Sequence, residues 1–344
     1  MSLPKYIFRR FLAAIPVLIG ILILNFILSR LLPGDPVLGY LLQTNISDPE
    51  TFMERYEYMR RQLGLDDPLV VQFGRYVKDL MSGNWGYSVF INKGMDVWTM
   101  VLQRLPRTID IAIFSILIAG IIGVKTGVIS AVHRNKPKDI VVRMVSIIGV
   151  SIPIFYMGML LQYFFGYILG WFPATGYKDY RFGNPTYITG FRMIDALLSG
   201  EIYIILDYLH HLFLPVMSLS FVTLAGISRQ TRSSMLEVLD QDYIRTARAK
   251  GCYEKDVIRT HALKNSMIPT TTVIGLNFAG LLAGAVLAEI TFGLKGIGKL
   301  FVDSILQADY WVTNAIIFVI SVLFLIVSLA IDIAYSILDP RIVY

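Results

Sequence analysis

Six stretches of this chain are apolar for long enough to cross a bilayer: residues 11–32, 109–132, 140–169, 202–227, 268–291 and 311–338. The hydrocarbon core of a bilayer is about 30 Å thick and a helix rises about 1.5 Å per residue, so a span needs roughly 20 mostly apolar residues. Lys5, Arg9 and Arg10 precede the first stretch and LLPGDP follows it, with no small-residue cleavage site between. That pattern predicts an uncleaved first span and not a signal peptide. The expected fold is all-α and polytopic, with six transmembrane helices. Residues 1–32 form the start and the first helix, 33–106 a sizeable segment between the first two helices, and 107–344 the core that carries the remaining helices.

The intervals between these stretches have patterns of their own. In TFMERYEYMRRQLGLDDP, Phe52, Met53, Tyr56, Met59 and Leu63 fall near helical spacing, which predicts a small folded subdomain in place of a loose loop. WFPATGYKDYRFGNP, rich in Gly, Pro and aromatics, reads as turns with one short helix. The third interval, residues 229–267, turns basic and amphipathic. In SSMLEVLDQDYIRTARAKG, Met235, Leu239, Tyr243 and Ala247 make an i, i+4 stripe, with Glu237, Gln241, Arg245 and Arg248 on another face. Gly251 ends this helix, as a residue tolerant of the left-handed region does. YEKDVIRTHALKN then restarts with Val257, Ile258, His261 and Ala262 on one side and Lys255, Asp256 and Arg259 on the other, and Pro269 opens the next span. Two short amphipathic helices around a break are expected. Such a pair suits either an anionic lipid surface or a groove on a partner protein. Glu237, Asp240, Asp242, Glu254 and Asp256, scattered among the bases, suit the protein groove better.

Composition agrees with the spans. Of 344 residues 55% are hydrophobic and 16% charged, and the mean hydropathy is +0.60, which excludes a soluble globular domain. The net charge of +6 comes from residues placed by topology. Lys5, Arg9 and Arg10, then Arg134, Lys136 and Lys138, then Arg229, Arg232, Arg245, Arg248, Lys250, Lys255, Arg259 and Lys264 all fall on one side if the spans alternate. The positive-inside rule then places both termini in the cytoplasm and residues 33–106 outside, and a nucleic-acid partner is not expected. The single cysteine, Cys252, excludes an internal disulfide and a cysteine metal cluster. Asn45 in NIS matches a glycosylation acceptor, a pattern too short to use.

Candidate chemistry is sparse. GLKGIGKL (293–300) nearly matches a phosphate-binding loop, but Leu300 stands where the magnesium-binding hydroxyl is required; a tight turn leading into the last span is expected instead. His210 and His211, near Asp207, point about 100° apart on a helix and do not converge on one metal ion. Asn25, Lys125, Glu289 and Asp332 are the other polar groups in or near spans; all but Asn25 lie where a long side chain reaches water. Ser151, Pro153, Asn277, Gly280 and Gly284 either line a passage or serve close packing, the glycines rather packing. A secondary transporter or channel, which keeps ionisable groups or broken helices at the midplane, is the second reading. A membrane scaffold for an ATPase is the third.

YIRTARAKG, followed by HALKN and Pro269, resembles the cytoplasmic EAA loop of ATP-binding-cassette importer permeases, specifically the dipeptide/oligopeptide permease family. Arg245, Thr246 and Ala247 stand where Glu-Ala-Ala would, Gly251 matches the glycine, His261 and Leu263 fall on the later apolar positions, and Lys264 replaces the proline. FRRFLAAIPVLIG, LLPGDPV, LGLDDPLVVQF, GNWGYS, RLPRTIDIAI, SIPIFYMG, WFPATGY, LAEITFGLKGIGKL and DPR occur in the order of that family's first permease subunit, with Lys295 in place of a proline. The resemblance implies a non-catalytic subunit of an inner-membrane importer. It pairs with a second homologous permease, receives dipeptides or oligopeptides from an extracytoplasmic solute-binding protein, and docks two ATPases that carry the ATP and magnesium. Relatives that carry oligosaccharides or nickel complexes leave the cargo open. The ATPase-coupling segment it implies comprises Tyr243, Arg245, Thr246, Ala247, Arg248, Ala249, Lys250, Gly251, His261 and Leu263. Ser151 and Asn277 are candidates for the translocation path and Glu289 for an outer gate; no metal site is implied.

Overall fold

The computed structural model describes residues 3–31, 35–42, 46 and 48–338. Asn45 and the DPR at Asp339 to Arg341 lie outside the described residues. Among those described, regular structure is helical apart from one isolated bridge between Tyr87 and Asp96. In chain order the helices are α1 (Leu3–Leu31), α2 (Pro36–Leu41), α3 (Pro49–Leu63), α4 (Leu69–Met81), α5 (Val97–Val132), α6 (Pro137–Ser151), α7 (Ile154–Leu161, continued by a π turn over Gln162–Ile168) and α8 (Arg192–Leu198). There follow α9 (Ile202–Leu239), α10 (Asp242–Ala249), α11 (Glu254–Asp256, continued by a π turn over Val257–Ala262), α12 (Leu263–Gly284), α13 (Val286–Thr291), α14 (Ile297–Leu306) and α15 (Tyr310–Leu338).

Four of these, within α1, α5, α9 and α15, are long and apolar enough to cross a membrane, and α6 with α7 makes a fifth candidate bent by 104°. The stretch expected to span over 140–169 is therefore a bent pair of helices. Ile152 takes an extended conformation (φ −91°, ψ 124°), because the ring of Pro153 disfavours a helical residue before it, and the ladder is interrupted there. The span expected over 268–291 is also not one rod: α12 ends at Gly284 and α13 starts at Val286.

The chain divides into two compact units, residues 1–11, 106–298 and 323–344 in one, and 12–105 and 299–322 in the other. In the first, α9 packs against α6, α7, α8 and α12. Its core is made of aliphatic and small residues, with Ile111, Leu214, Leu219, Ile227 and Leu294 wholly buried and Tyr208 and Phe292 the largest side chains. Close helix approach rests on small residues, as between membrane helices generally. A Cβ added at Gly127 on α5 would stand 2.6 Å from Cβ of Thr231 and 2.7 Å from the carbonyl oxygen of Ser228, both on α9. Gly275 on α12 is similarly filled by Ile331 of α15. Gly280, expected as a packing position, faces open space instead.

In the second unit α3 appears where the spacing of Phe52 to Leu63 predicts it, started by Asp48, which accepts from the Thr51 amide at 3.0 Å, and ended by Gly64 at φ +60°. Phe52, Tyr56 and Met59 are half-buried while Met53 is exposed, so the apolar face is narrower than expected. Asp35 accepts from the Tyr56 hydroxyl at 2.5 Å and from Arg60 at 2.8 Å. Burial opposes ionisation of Asp35, but the Tyr56 hydroxyl and the amides of Val37 and Leu38 outweigh it, and its pKa lies below the usual carboxylate value. Asp309 gathers the Ser88 hydroxyl at 2.7 Å and the amides of Val89 and Phe90 at 3.0 Å each. Asn25 is buried, donating to the Tyr76 hydroxyl (2.9 Å) and the Asn314 carbonyl (3.1 Å).

Candidate functional site: the segment around Gly251

Helix α9 has 38 residues, a length of about 57 Å at 1.5 Å per residue. This exceeds the hydrocarbon thickness by a wide margin, so one end stands clear of the bilayer core. That end carries α10. The expected amphipathic helix over 233–250 is in fact the last turns of α9 and a separate α10, broken at Asp240 and Gln241. The break resets the buried face. Met235, Ile244 and Ala247 point into a small core with Ala131, Val257 and Ala262, bordered by Val128, Leu239 and Leu263, whereas Tyr243, expected on the same stripe, is 43% exposed. Burying a side chain of the size of Met or Ile stabilises by roughly 1.5–3 kcal/mol, so this core fixes α10 to the ends of α5 and α9.

Helix α10 stops at Ala249, and Gly251 takes φ +80°, in the left-handed region where a residue without Cβ is least strained. Across this turn Arg248 grips Glu254 through two nitrogens, at 2.8 and 3.1 Å. The Arg248 hydrogen bond holds the Glu254 pKa below its usual value. After the turn, Val257 and Ala262 are buried and Lys255, Asp256 and Arg259 exposed, the two faces that the sequence predicts. Pro269, expected to open the next span, lies inside α12, into which the π turn runs directly. Asn265 donates to the Tyr243 hydroxyl at 2.8 Å, tying the start of α12 to the start of α10.

The segment thus has an anchored face and a free one. Of its residues, Tyr243, Arg245, Thr246, Arg248, Ala249, Lys250 and Gly251 are exposed, His261 and Leu263 are half-buried, and Ala247 is buried in the chain's own core. Ala247 is therefore part of the anchor. Among the described residues Arg245 pairs only with its neighbour Asp242, at 3.2 Å and in solvent.

Sequence reasoning missed the group that braces this end of the first unit. Asp139, at the start of α6, is wholly buried and accepts from Nε and a terminal nitrogen of Arg232 (2.7 and 2.9 Å), from the Asn135 amide (2.9 Å) and from the Ser130 hydroxyl. Arg143 lies 3.5 Å away. One carboxylate so links α5, α6 and α9. The available signal was an acid in the first turn after the basic RNKPK, where a helix N-terminus favours negative charge.

The remaining candidates are dispersed. Ser151 donates to the carbonyl of Ile147 at 2.9 Å and Asn277 to that of Val273 at 2.7 Å, so each turns back onto its own helix. Glu289 is wholly buried and does not reach water, contrary to expectation. It accepts from the Thr108 hydroxyl at 2.5 Å, and Thr108 in turn receives the Ile297 amide at 2.9 Å. With Arg107 donating to the Lys295 carbonyl at 2.8 Å, these groups clamp the turn 293–298 against α5. Gly293 supplies that turn's left-handed residue, and helix α13, not a strand, precedes it. His210 and His211 bond to separate carbonyls, those of Trp171 and Asp207.

Apolar helices that stack on one another and a polar, anchored segment at one end of the bundle define a polytopic α-helical membrane protein. Its family follows from comparison with known proteins. Residues 123–344 match the family described as "Binding-protein-dependent transport system inner membrane component", and residues 3–112 match its N-terminal companion; the chain belongs to this family. The "Di/tripeptide transport system permease protein DppB" of Pseudomonas aeruginosa is 42% identical over 98% of both chains. The "Oligopeptide transport system permease protein AppB" of Bacillus subtilis is 39% identical over 98% of this chain and 99% of its own. A solved chain described as showing inward-facing conformations of the MetNI methionine ABC transporter aligns with a TM-score of 0.54 at 15% identity, over 70% of this chain and 97% of that one. At that identity the likeness is one of fold.

Proposed function

We propose that this chain is one of two permease subunits of an ATP-driven importer of dipeptides or oligopeptides. The observation that carries the reading is the end-to-end match at about 40% identity to permeases named for peptide transport. In this reading an extracytoplasmic solute-binding protein delivers the cargo, a second homologous permease completes the passage, and two ATPases bind and hydrolyse ATP with magnesium. The chain itself hydrolyses nothing. Both termini and the segment 229–267 lie in the cytoplasm, and the segments 268–291 and 140–169 complete a set of six spans despite their breaks.

The geometry around Gly251 supports a mechanical role. Tyr243, Arg245, Thr246 and Ala249 are exposed for a groove on an ATPase, while Ile244, Ala247 and Val257 grip α5 and α9. A helix fixed on one face transmits a displacement applied to the other. ATP closes the ATPase pair, the docked helices move together, and the bundle alternates between inward- and outward-facing forms. Moving such a population from 1:99 to 99:1 requires about 5.5 kcal/mol of preference for one form. Ser151 and Asn277 are retained as candidate path residues, and Glu289 acts at the outer mouth as the clamp of a turn.

The test is affinity purification of the tagged chain from mildly solubilised membranes, with mass-spectrometric identification of its partners and uptake of labelled peptides by the reconstituted complex. A second permease, a pair of ATPases and peptide uptake dependent on a binding protein are expected. Recovery as a homo-oligomer that transports without an ATPase would point to a secondary transporter or channel. Copurifying ATPases with no uptake of any cargo would point to a scaffold, and uptake of oligosaccharides or a nickel complex would change the cargo alone.

A further inference from the structure

Beside the Asp139 network, α6 and α9 flank an open groove of about 430 Å³. Arg143, Arg229 and Arg232 line it. Among the described residues the one carboxylate within 4 Å of these guanidinium groups is Asp139, held by Arg232 at 2.7 Å and Arg143 at 3.5 Å. Arg229 has neither a hydrogen bond nor an ion pair among the described residues. The groove therefore carries an excess of positive charge beside an apolar helix face, a field that attracts an anion. Its other polar wall is built of Ser130, Ser146, Ser151, Ser228 and Ser233.

Guanidinium groups and hydroxyls together offer the forked donors that fit phosphate oxygens. The remaining wall is apolar, with Ile147, Val150 and Ala225. Ile147 and Val150, on the same face of α6 as Arg143, are 66% and 53% exposed. A free phosphate has no use for that surface; acyl chains do. We propose that this groove holds the phosphate of an anionic phospholipid, with its acyl chains along the exposed face of α6. Basic pockets between membrane helices take anionic headgroups in this manner, and the lipid would brace the same junction of α5, α6 and α9 from which α10 projects.

The experiment uses the importer complex as purified, stripped of lipid by detergent washing and probed by its melting temperature. Dioleoylphosphatidylglycerol, dioleoylphosphatidylcholine and inorganic phosphate are added separately at matched ionic strength. The phosphatidylglycerol is expected to raise the melting temperature by several degrees, the other two by much less. In Arg229→Gln the phosphatidylglycerol shift should fall by more than half, and in Arg229→Lys it should persist. Arg229 is exposed and has no hydrogen-bond or ion-pair partner among the described residues, so neither variant removes such a contact there. An equal shift from phosphatidylcholine, or an undiminished one in Arg229→Gln, would overturn the proposal. An equal shift from inorganic phosphate would assign the groove to a free anion and overturn the lipid. Native mass spectrometry of the unstripped complex gives a second reading that needs no variant: a retained phosphatidylglycerol or cardiolipin is expected, and retention of zwitterionic lipid alone would count against the site.

Discussion

At Gly251 nothing lies within 4 Å of the position that a Cβ would take, yet φ is +80°. A side chain there meets no collision and bears only backbone strain, about 1–2 kcal/mol and more for a β-branched residue. Gly251→Val is therefore expected to leave the bundle folded while displacing α10 from its course. Measured in proteoliposomes, ATP hydrolysis should persist and peptide uptake should drop several-fold; coupled uptake at the normal rate would contradict the role proposed for this turn. Asp139 makes the opposite case, a residue whose loss reaches the fold. Asp139→Asn keeps the shape and removes the only carboxylate paired with Arg232 among the described residues, and breaking a buried pair of this kind costs roughly 3–5 kcal/mol, here toward the lower end because Arg232 keeps some access to water. The melting temperature in detergent should fall by several degrees, and an unchanged value would show that the network is not bracing α5, α6 and α9. Of these two residues, only the first was legible in the sequence. A glycine after an amphipathic helix is a local signal. Asp139 acquires its meaning from Arg232, which is 93 positions away in the chain, and no local pattern joins them.

Helix α10 shows how far an element can be read from periodicity. The stripe Met235, Leu239, Tyr243, Ala247 holds before the break but not beyond it, because Asp240 and Gln241 interrupt the helix and Ile244 joins Ala247 in the core in place of Tyr243. The pairing of Arg248 with Glu254 was hidden for the same reason: it spans a turn whose geometry the sequence implies only through Gly251. This pairing changes how the docking role is tested. Arg248→Glu alone destroys an internal pair as well as any contact with an ATPase, whereas Arg245→Glu disturbs only an exposed bond to Asp242. Arg245→Glu should reduce copurification of the ATPases at low salt, with unchanged recovery arguing against docking through this face. In the exchange Arg248→Glu with Glu254→Arg the pair is rebuilt in reverse. Restored recovery would assign Arg248 to the turn, and continued loss would assign it to the partner. The Glu254 pKa is depressed in the folded chain, so the pair contributes above the unfolded value and is lost as pH falls through the folded one. Both groups are exposed, and salt should weaken the pair as acid does.

On the scale of the whole molecule the sequence made the class plain, since four helices and one bent pair fall on stretches whose hydropathy alone marks them. What hydropathy does not carry is direction within a stretch. The extended residue at Ile152 bends α6 and α7 by 104°, and a bent pair either crosses the bilayer or returns to the side from which it came. The chain supplies its own probe, for Cys252 is its only cysteine and is exposed. In intact cells a membrane-impermeant maleimide should leave Cys252 unmodified and label it only after permeabilisation. With Cys252→Ser as background, Tyr180→Cys, at a residue that is 92% exposed in the stretch before α9, should be labelled from outside. These two positions flank α9 alone, so their opposite behaviour depends on one continuous helix. Arg134→Cys, in the loop between α5 and α6, then decides the bent pair. If α6 and α7 together cross the membrane, Arg134→Cys reacts only from the cytoplasm, opposite to Tyr180→Cys. If the pair is re-entrant, both react from the same side, the count of spans before α9 drops by one, and the N-terminus moves to the other face. The basic residues Arg134, Lys136 and Lys138 favour the crossing, because the positive-inside rule places them on the same face as Arg245, Arg248 and Lys250.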